Sequence, residues 1–256
     1  MASTPSAALA LRATLNRWRR RWLHALSFRP LFGERSQGRL LPNTRISPST
    51  CIEHEDRLKL GDHVYIGPFN FLEASGGMTI EEGVQITSHV SIVTHSSHRA
   101  QRLLGRAYAD WPKALPDWMS PQPAAADEPV QPDWISGKAA KPKPQPARPA
   151  APRPGWIAGP VHIGAYCFIG PHSLIEANTR LGRGCIVCAG SQVRGEFTEF
   201  SVLEGSPARV VGDSRRGDED WLVRHPELLP FYEAWAGEAE PVPRRGCRVI
   251  EMTATD

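Results

Sequence analysis

Two imidazoles, His95 and His98 in the stretch VSIVTHSSH, are the side chains whose type and closeness best suit proton chemistry. A histidine with a pKa near ~6.5 accepts a proton at neutral pH, which is what a general base must do. Such a base needs a partner that orients its ring. Glu73, Glu81 and Glu82 are the upstream carboxylates that could serve, and the spacing does not choose among them. The plainer reading of either histidine is a solvated loop residue. Cys185-Ile-Val-Cys188 is a second constellation. A lone Cys-x-x-Cys offers two ligands where zinc takes about four. No histidine adjoins either cysteine to activate it as a nucleophile. Cys185 reads as core.

The element that must position His95 is a repeat. Ile163, Ile169, Ile175, Leu181, Val187 and Val193 recur at every sixth residue. Cys167, Ser173, Thr179, Cys185 and Ser191 fall four residues after them, all small or medium in size. Helices repeat near 3.6 residues and half-buried strands near 2, so neither gives this period. Stacked coils do, because each repeat makes one short face and a turn. Upstream, Leu60, Ile66 and Leu72, then Ile80, Ile86 and Ile92, keep the same step, with two extra residues in the glycine-bearing break after Leu72. The two blocks are one coil stack with an insertion, and the insertion leaves from beside His95.

On these residues the chain resembles the hexapeptide-repeat acyltransferases. Three motifs carry the likeness beyond the repeat: VSIVTHSSH, GPVHIGAYCFIG and LEGSPARVV. They are similar to the family's active-site loop, its re-entry into the coils and its exit. The likeness covers roughly residues 58–212 and is strongest to acetyltransferases that modify sugars of bacterial surface polysaccharides. It implies a left-handed parallel β-helix, a homotrimer, acetyl-CoA as co-substrate with no metal, and direct transfer to a hydroxyl of a sugar or lipid-linked saccharide. It makes His95 the base and gives His98 a direct role or none. It places acceptor contacts at Asn70 and Glu73. CoA contacts fall at Phe168, Gly170, Ala189, Gly190 and Arg209, with Arg194 standing where relatives often carry lysine.

Length and composition bound the rest. At 256 residues one domain with additions is expected. A net charge of +3 does not suggest a nucleic-acid partner. Five cysteines without framework spacing point to a reducing compartment. With no bilayer-length apolar run and no signal core, a cytoplasmic protein is expected.

Residues 1–57 read as a helix and a lead-in segment. Within residues 6–28, Leu11, Leu15, Trp18, Trp22 and Leu26 form one stripe with arginines off it. That helix either packs on the coils or on a neighbouring subunit, or holds the chain at the inner face of an anionic membrane. Residues 99–158 are proline-dense and read as largely disordered or polyproline II, as a tolerated insertion or a lid. Residues 213–256 read as a polar link, a short helix over 225–237 with Trp221, Leu228, Phe231, Tyr232 and Trp235 on its apolar face, and a tail. That helix is expected to cap the last coil.

Alternatives stay open within this fold. An N-acetyltransferase acting on a nucleotide-linked amino sugar would use similar residues. A metal enzyme like the γ-carbonic anhydrases would need three converging histidines, with His89, His95 and His98 the ones available. A non-catalytic scaffold would need none of these.

Overall fold

The computed structural model describes residues 7–109 and 155–237. They form two compact units, one of residues up to 95 and from 158 onward, the other of residues 96–157. The first unit is a parallel β-helix built on three sheets. One sheet runs through Arg45–Ile46, Tyr65–Ile66, Gln85–Ile86, Phe168–Ile169, Ile186–Val187 and Ser201–Gly205. The second stacks Cys51–Glu53, Phe71–Glu73, Ser91–Val93, Leu174–Ile175 and Gln192–Val193. The third stacks Leu58–Leu60, Met78–Ile80, Val161–Ile163, Arg180–Leu181 and Glu196–Phe197. The chain visits the sheets in that order, so every third hexad residue lands in the same ladder.

The register shows why a six-residue period makes a core. Ile66 faces Ile86, Ile86 faces Ile169, and Ile169 faces Val187. All four are fully buried, as are Ile92, Ile163, Ile175, Leu181 and Val193. Burying an aliphatic side chain is worth about 1.5–3 kcal/mol, so this column dominates the unit's stability. The intervening small residues also point inward, each at most 2% exposed. Several of their polar atoms bond the next coil's backbone: Ser173 Oγ donates to Cys188 O at 3.1 Å, Cys185 Sγ donates to Thr198 O at 3.1 Å, and Ser191 Oγ accepts from Gly205 N at 3.2 Å. A larger residue there would overfill the coil, and an apolar one would leave corner carbonyls unmet.

The coils begin upstream of residue 58. Arg45–Ile46 pairs in parallel register with Tyr65–Ile66, and Cys51–Glu53 with Phe71–Glu73. The sequence signal is blurred here because Ile46 and Ile52 lie in the end coil and are only partly covered. At the other end, Ala208–Asp213 turns back antiparallel on Ser201–Gly205 and covers the edge of the longest sheet. That strand closes the edge of the longest sheet, while the expected C-terminal helix packs beside the last coil, with the Trp235 ring 6.0 Å from that of Phe200.

Helix α1, Ala7–Ser27, matches the expected segment, and none of its residues is buried. In the second unit, helix α2, His98–Leu104, and the tight turn Gly105–Tyr108 occupy the start of the stretch expected to lack order. The reason is local packing. Ala100 is fully buried, and a Cβ on Gly155 would lie 3.0 Å from Leu103 Cδ1. Trp111, Trp118, Trp134 and the proline-dense run lie outside the described residues.

The expected polar link after the coils contains helix α3, Arg215–Arg224. Asp213 anchors its start, accepting from Arg215 N at 3.0 Å and from the Arg215 guanidinium at 2.7 Å. Helix α4, Leu229–Ala236, follows. Of the apolar face expected there, Trp235 stacks on Tyr166 with ring centroids 4.6 Å apart, while Trp221 and Phe231 remain exposed.

Candidate active site

Glu73 ends its strand and stands opposite Val93 one coil later. Thr94 and His95 follow where the chain leaves the coils, so the departure point comes to rest over Glu73. His95 Nδ1 lies 2.8 Å from Glu73 Oε2, and Ser75 Oγ lies 3.1 Å from the same nitrogen. Thr94 donates to that oxygen twice, from its amide at 3.1 Å and its hydroxyl at 2.7 Å. The Ser75 amide donates to Oε1 at 2.7 Å. Both carboxylate oxygens are therefore occupied, on a side chain only 3% exposed.

Burial alone would raise the pKa of Glu73. The hydrogen bonds from Ser75, Thr94 and His95 outweigh it and hold the carboxyl at about 2. Glu73 is thus an anion at neutral pH, aimed at Nδ1. An anionic acceptor there keeps a proton on Nδ1 and puts the lone pair on Nε2, the nitrogen that can take up a proton. The His95 ring is 30% exposed, enough to meet a substrate.

The two extra residues that interrupt the hexad build this floor. Gly76 donates from its amide to Thr94 Oγ1 at 2.7 Å. A Cβ on Gly76 would lie 2.8 Å from Thr94 O, so only glycine lets the break pass beneath the departing chain.

The other expected residues are placed as follows. Asn70 and Glu73 are each 2% exposed. The Asn70 amide group donates to Gly67 O and Thr87 O at 2.9 and 2.8 Å, and its oxygen accepts from Val90 N at 2.7 Å. Asn70 thus stitches coils together, and Glu73 orients His95. Burial leaves neither side chain to meet an acceptor, which corrects the contact expected from the resemblance.

His98 opens α2 in the second unit, with its Nδ1 2.6 Å from Ser96 Oγ. Glu81 sits at another corner, bound to His162 at 3.1 Å and to the Ala165 amide at 2.9 Å. His89 is at a different corner from His95 and stacks on His172 at 4.8 Å, so this chain does not gather the three histidines considered for a metal.

The positions expected to hold CoA divide between two corners and the terminal hairpin. Phe168, Ala189 and Gly190 are exposed at and before the corner joining the first sheet to the second. Gly170 lies at the same corner, where a Cβ would come within 2.7 Å of Ala189 N, so its smallness serves coil packing. Arg194 follows the second sheet, on the corner that carries His95, with Nη1 4.0 Å from Glu176 Oε2. Arg209 is exposed on the hairpin strand. Phe168, Ala189, Arg194 and Arg209 present surface that could meet an amide-rich arm and phosphates.

Comparison with known proteins places this architecture. The family model "Bacterial transferase hexapeptide (six repeats)" matches residues 157–195. A protein of Mycobacterium tuberculosis named as a probable acetyltransferase is 34% identical over 74 residues, 29% of this chain and 25% of that protein. A Staphylococcus aureus protein named as an acetyltransferase is 35% identical over 63 residues, 25% of this chain and 30% of that protein. The chain thus aligns with about a quarter to a third of the length of these relatives. Among solved structures, a galactoside acetyltransferase in complex with coenzyme A aligns at 16% identity and TM-score 0.44, over 69% of this chain and 65% of that one. The Bacillus cereus N-acyltransferase AntD, in complex with dTDP and 3-hydroxybutyryl-CoA, aligns at 17% identity and TM-score 0.41, over 73% and 89%.

The fold is thus a parallel β-helix of stacked hexapeptide coils with an imidazole–carboxylate pair where the coils are interrupted. Among proteins built this way, the chain is similar to the bacterial hexapeptide transferases over residues 157–195.

Proposed function

We propose that the chain is an acyltransferase that moves an acetyl group from acetyl-CoA to a hydroxyl of a saccharide. The observation that carries this reading is the contact between His95 Nδ1 and the ionised, buried Glu73. It prepares Nε2 as a base at a partly exposed position beside the break in the coils. The acceptor hydroxyl gives its proton to Nε2 as its oxygen attacks the thioester carbonyl, and the carbonyl electron pair moves onto oxygen. Collapse of that tetrahedral species expels the CoA sulfur, breaking the C–S bond. The sulfur takes the proton back from the imidazolium, so the enzyme returns unchanged. Glu73 stays ionised throughout and offsets the transient positive charge. Arg194 and Arg209 supply the charge for the CoA phosphates, in the absence of the lysine common among relatives.

The surface-polysaccharide context of the resemblance directs the choice of acceptors. The test is thiol release from acetyl-CoA over a panel of simple sugars, lipid-linked oligosaccharides and nucleotide-linked amino sugars. A hydroxyl acceptor should turn over, and His95→Ala should lower kcat by about 10²–10⁴-fold, the usual worth of a positioned base. Full turnover by His95→Ala would remove the mechanism. Turnover only with the amino sugars would move the reaction to N-acetylation.

A further inference from the structure

Helix α1 runs for 21 residues with no side chain buried against the β-helix. Leu11, Leu15, Trp18, Trp22 and Leu26 are each at least 52% exposed. At 100° per residue these five fall within one narrow stripe along the helix. Arg12, Arg17, Arg19, Arg20 and Arg21 fall outside that stripe, and the chain has no acidic residue before Glu34. Trp18 and Trp22 lie side by side, with ring centroids 5.8 Å apart.

An apolar stripe in water is costly, and five arginines without a carboxylate among them repel one another. One kind of surface relieves both at once: an apolar interior bounded by a layer of negative charge. Tryptophan adds to the match, since its indole favours the boundary between hydrocarbon and headgroup. The helix is not apolar enough to cross a membrane, so it would lie along one. We propose that α1 is an interfacial anchor that binds the protein to anionic lipid bilayers, with its Leu/Trp stripe in the acyl boundary and its arginines among the headgroup phosphates. The alternative cover, a second copy of this chain, would need a matching acidic face. Anchoring requires nothing of His95, so it stands apart from the proposed acyl transfer.

The test is sedimentation of the full chain with vesicles of neutral phosphatidylcholine, with and without about one third phosphatidylglycerol. Binding should appear only with the anionic lipid and should fall at least about tenfold between 0.1 M and 0.5 M salt, because surface charge is screened. Arg19→Glu/Arg20→Glu/Arg21→Glu and, separately, Trp18→Ala/Trp22→Ala should each abolish it. Circular dichroism and thermal unfolding of the β-helix should stay unchanged, because α1 is not packed on it. Quenching of the wild-type tryptophans by brominated lipids should vanish in the tryptophan variant. Wild-type protein left in the supernatant, or a charge-reversed variant that still sediments, would overturn the proposal. So would variants that change only the oligomeric state by analytical ultracentrifugation, which would assign α1 to a contact between copies.

Discussion

Glu73 keeps its charge because three neighbours outweigh its burial, and that links the site to pH in a definite direction. Its folded-state value of about 2 lies below the ordinary 4.5. A depressed carboxylate contributes stability that is fully present above the unfolded value and is lost as pH falls toward the folded one. Glu73→Gln should therefore lower stability at pH 7 by about 1.5–3 kcal/mol, the worth of hydrogen bonds to a charged group. The gap should narrow as pH drops from about 4.5 toward 2. Urea unfolding of both proteins at pH 7 and pH 3 would check this, and an equal gap at both would contradict it. The same change should cut kcat about 10–100-fold with little change in KM, since the ring loses orientation but the substrate loses no contact. The sequence pointed to His95 by type and position. It could not single out its partner, because Glu73 is 22 residues away and Glu81 and Glu82 are nearer. The missing quantity was the length of the interrupted coil. Once Val93 is known to lie over Glu73, His95 can reach it.

The elements were legible in proportion to how regularly they bury side chains. The hexad column could be read directly, because each aliphatic residue repeats the environment of its partner one coil on, 18 positions from Ile169 to Val187 and 20 from Ile66 to Ile86. Helix α3 could not. Its ten residues are mostly charged and include Gly217, and its fold depends on Asp213 and on contacts that local propensity does not encode. Helix α2 was hidden in the same way, inside a stretch whose overall composition reads as unstructured. The break at residues 74–77 was visible only as two surplus residues, yet it is the element that fixes the contact between His95 and Glu73. Gly76→Ala would drive a methyl group to 2.8 Å from Thr94 O and 2.9 Å from Thr94 Cβ. The Thr94–His95 segment must then shift. Stability should fall by about 1–3 kcal/mol, the usual cost of overpacking. Activity should fall by more than the unfolded fraction explains. Thermal unfolding alongside kcat for the folded fraction separates the two effects, and a variant that loses stability but keeps kcat would show that the break is only structural.

Taken whole, one chain leaves most of the residues proposed to meet CoA on a different edge from His95, with Arg194 sharing the His95 corner. His95 stands where the second sheet gives way to the third, and Phe168, Ala189 and Gly190 lie at and before the corner where the first gives way to the second. A full face of the coil separates them, so a thioester held at one edge does not naturally present its carbonyl at the other. We propose that a second copy supplies the missing edge, with one chain's His95 beside the other's proposed CoA positions, as in the trimer expected from the resemblance. That arrangement predicts rescue between two crippled chains. His95→Ala removes the proposed base, and Arg209→Ala removes an exposed guanidinium proposed to meet a CoA phosphate, so each alone should be poor at low acetyl-CoA. Unfolded and refolded together in equal amounts, they should recover about one quarter of wild-type activity, the chance that a cleft draws an intact His95 from one chain and an intact Arg209 from its neighbour. Sedimentation should show the mixture at three chains. If the mixture instead gives only the average of the two variants, base and phosphate partner must lie within one chain. The CoA positions carried over from the resemblance would then have to be reassigned to residues near the corner at Thr94.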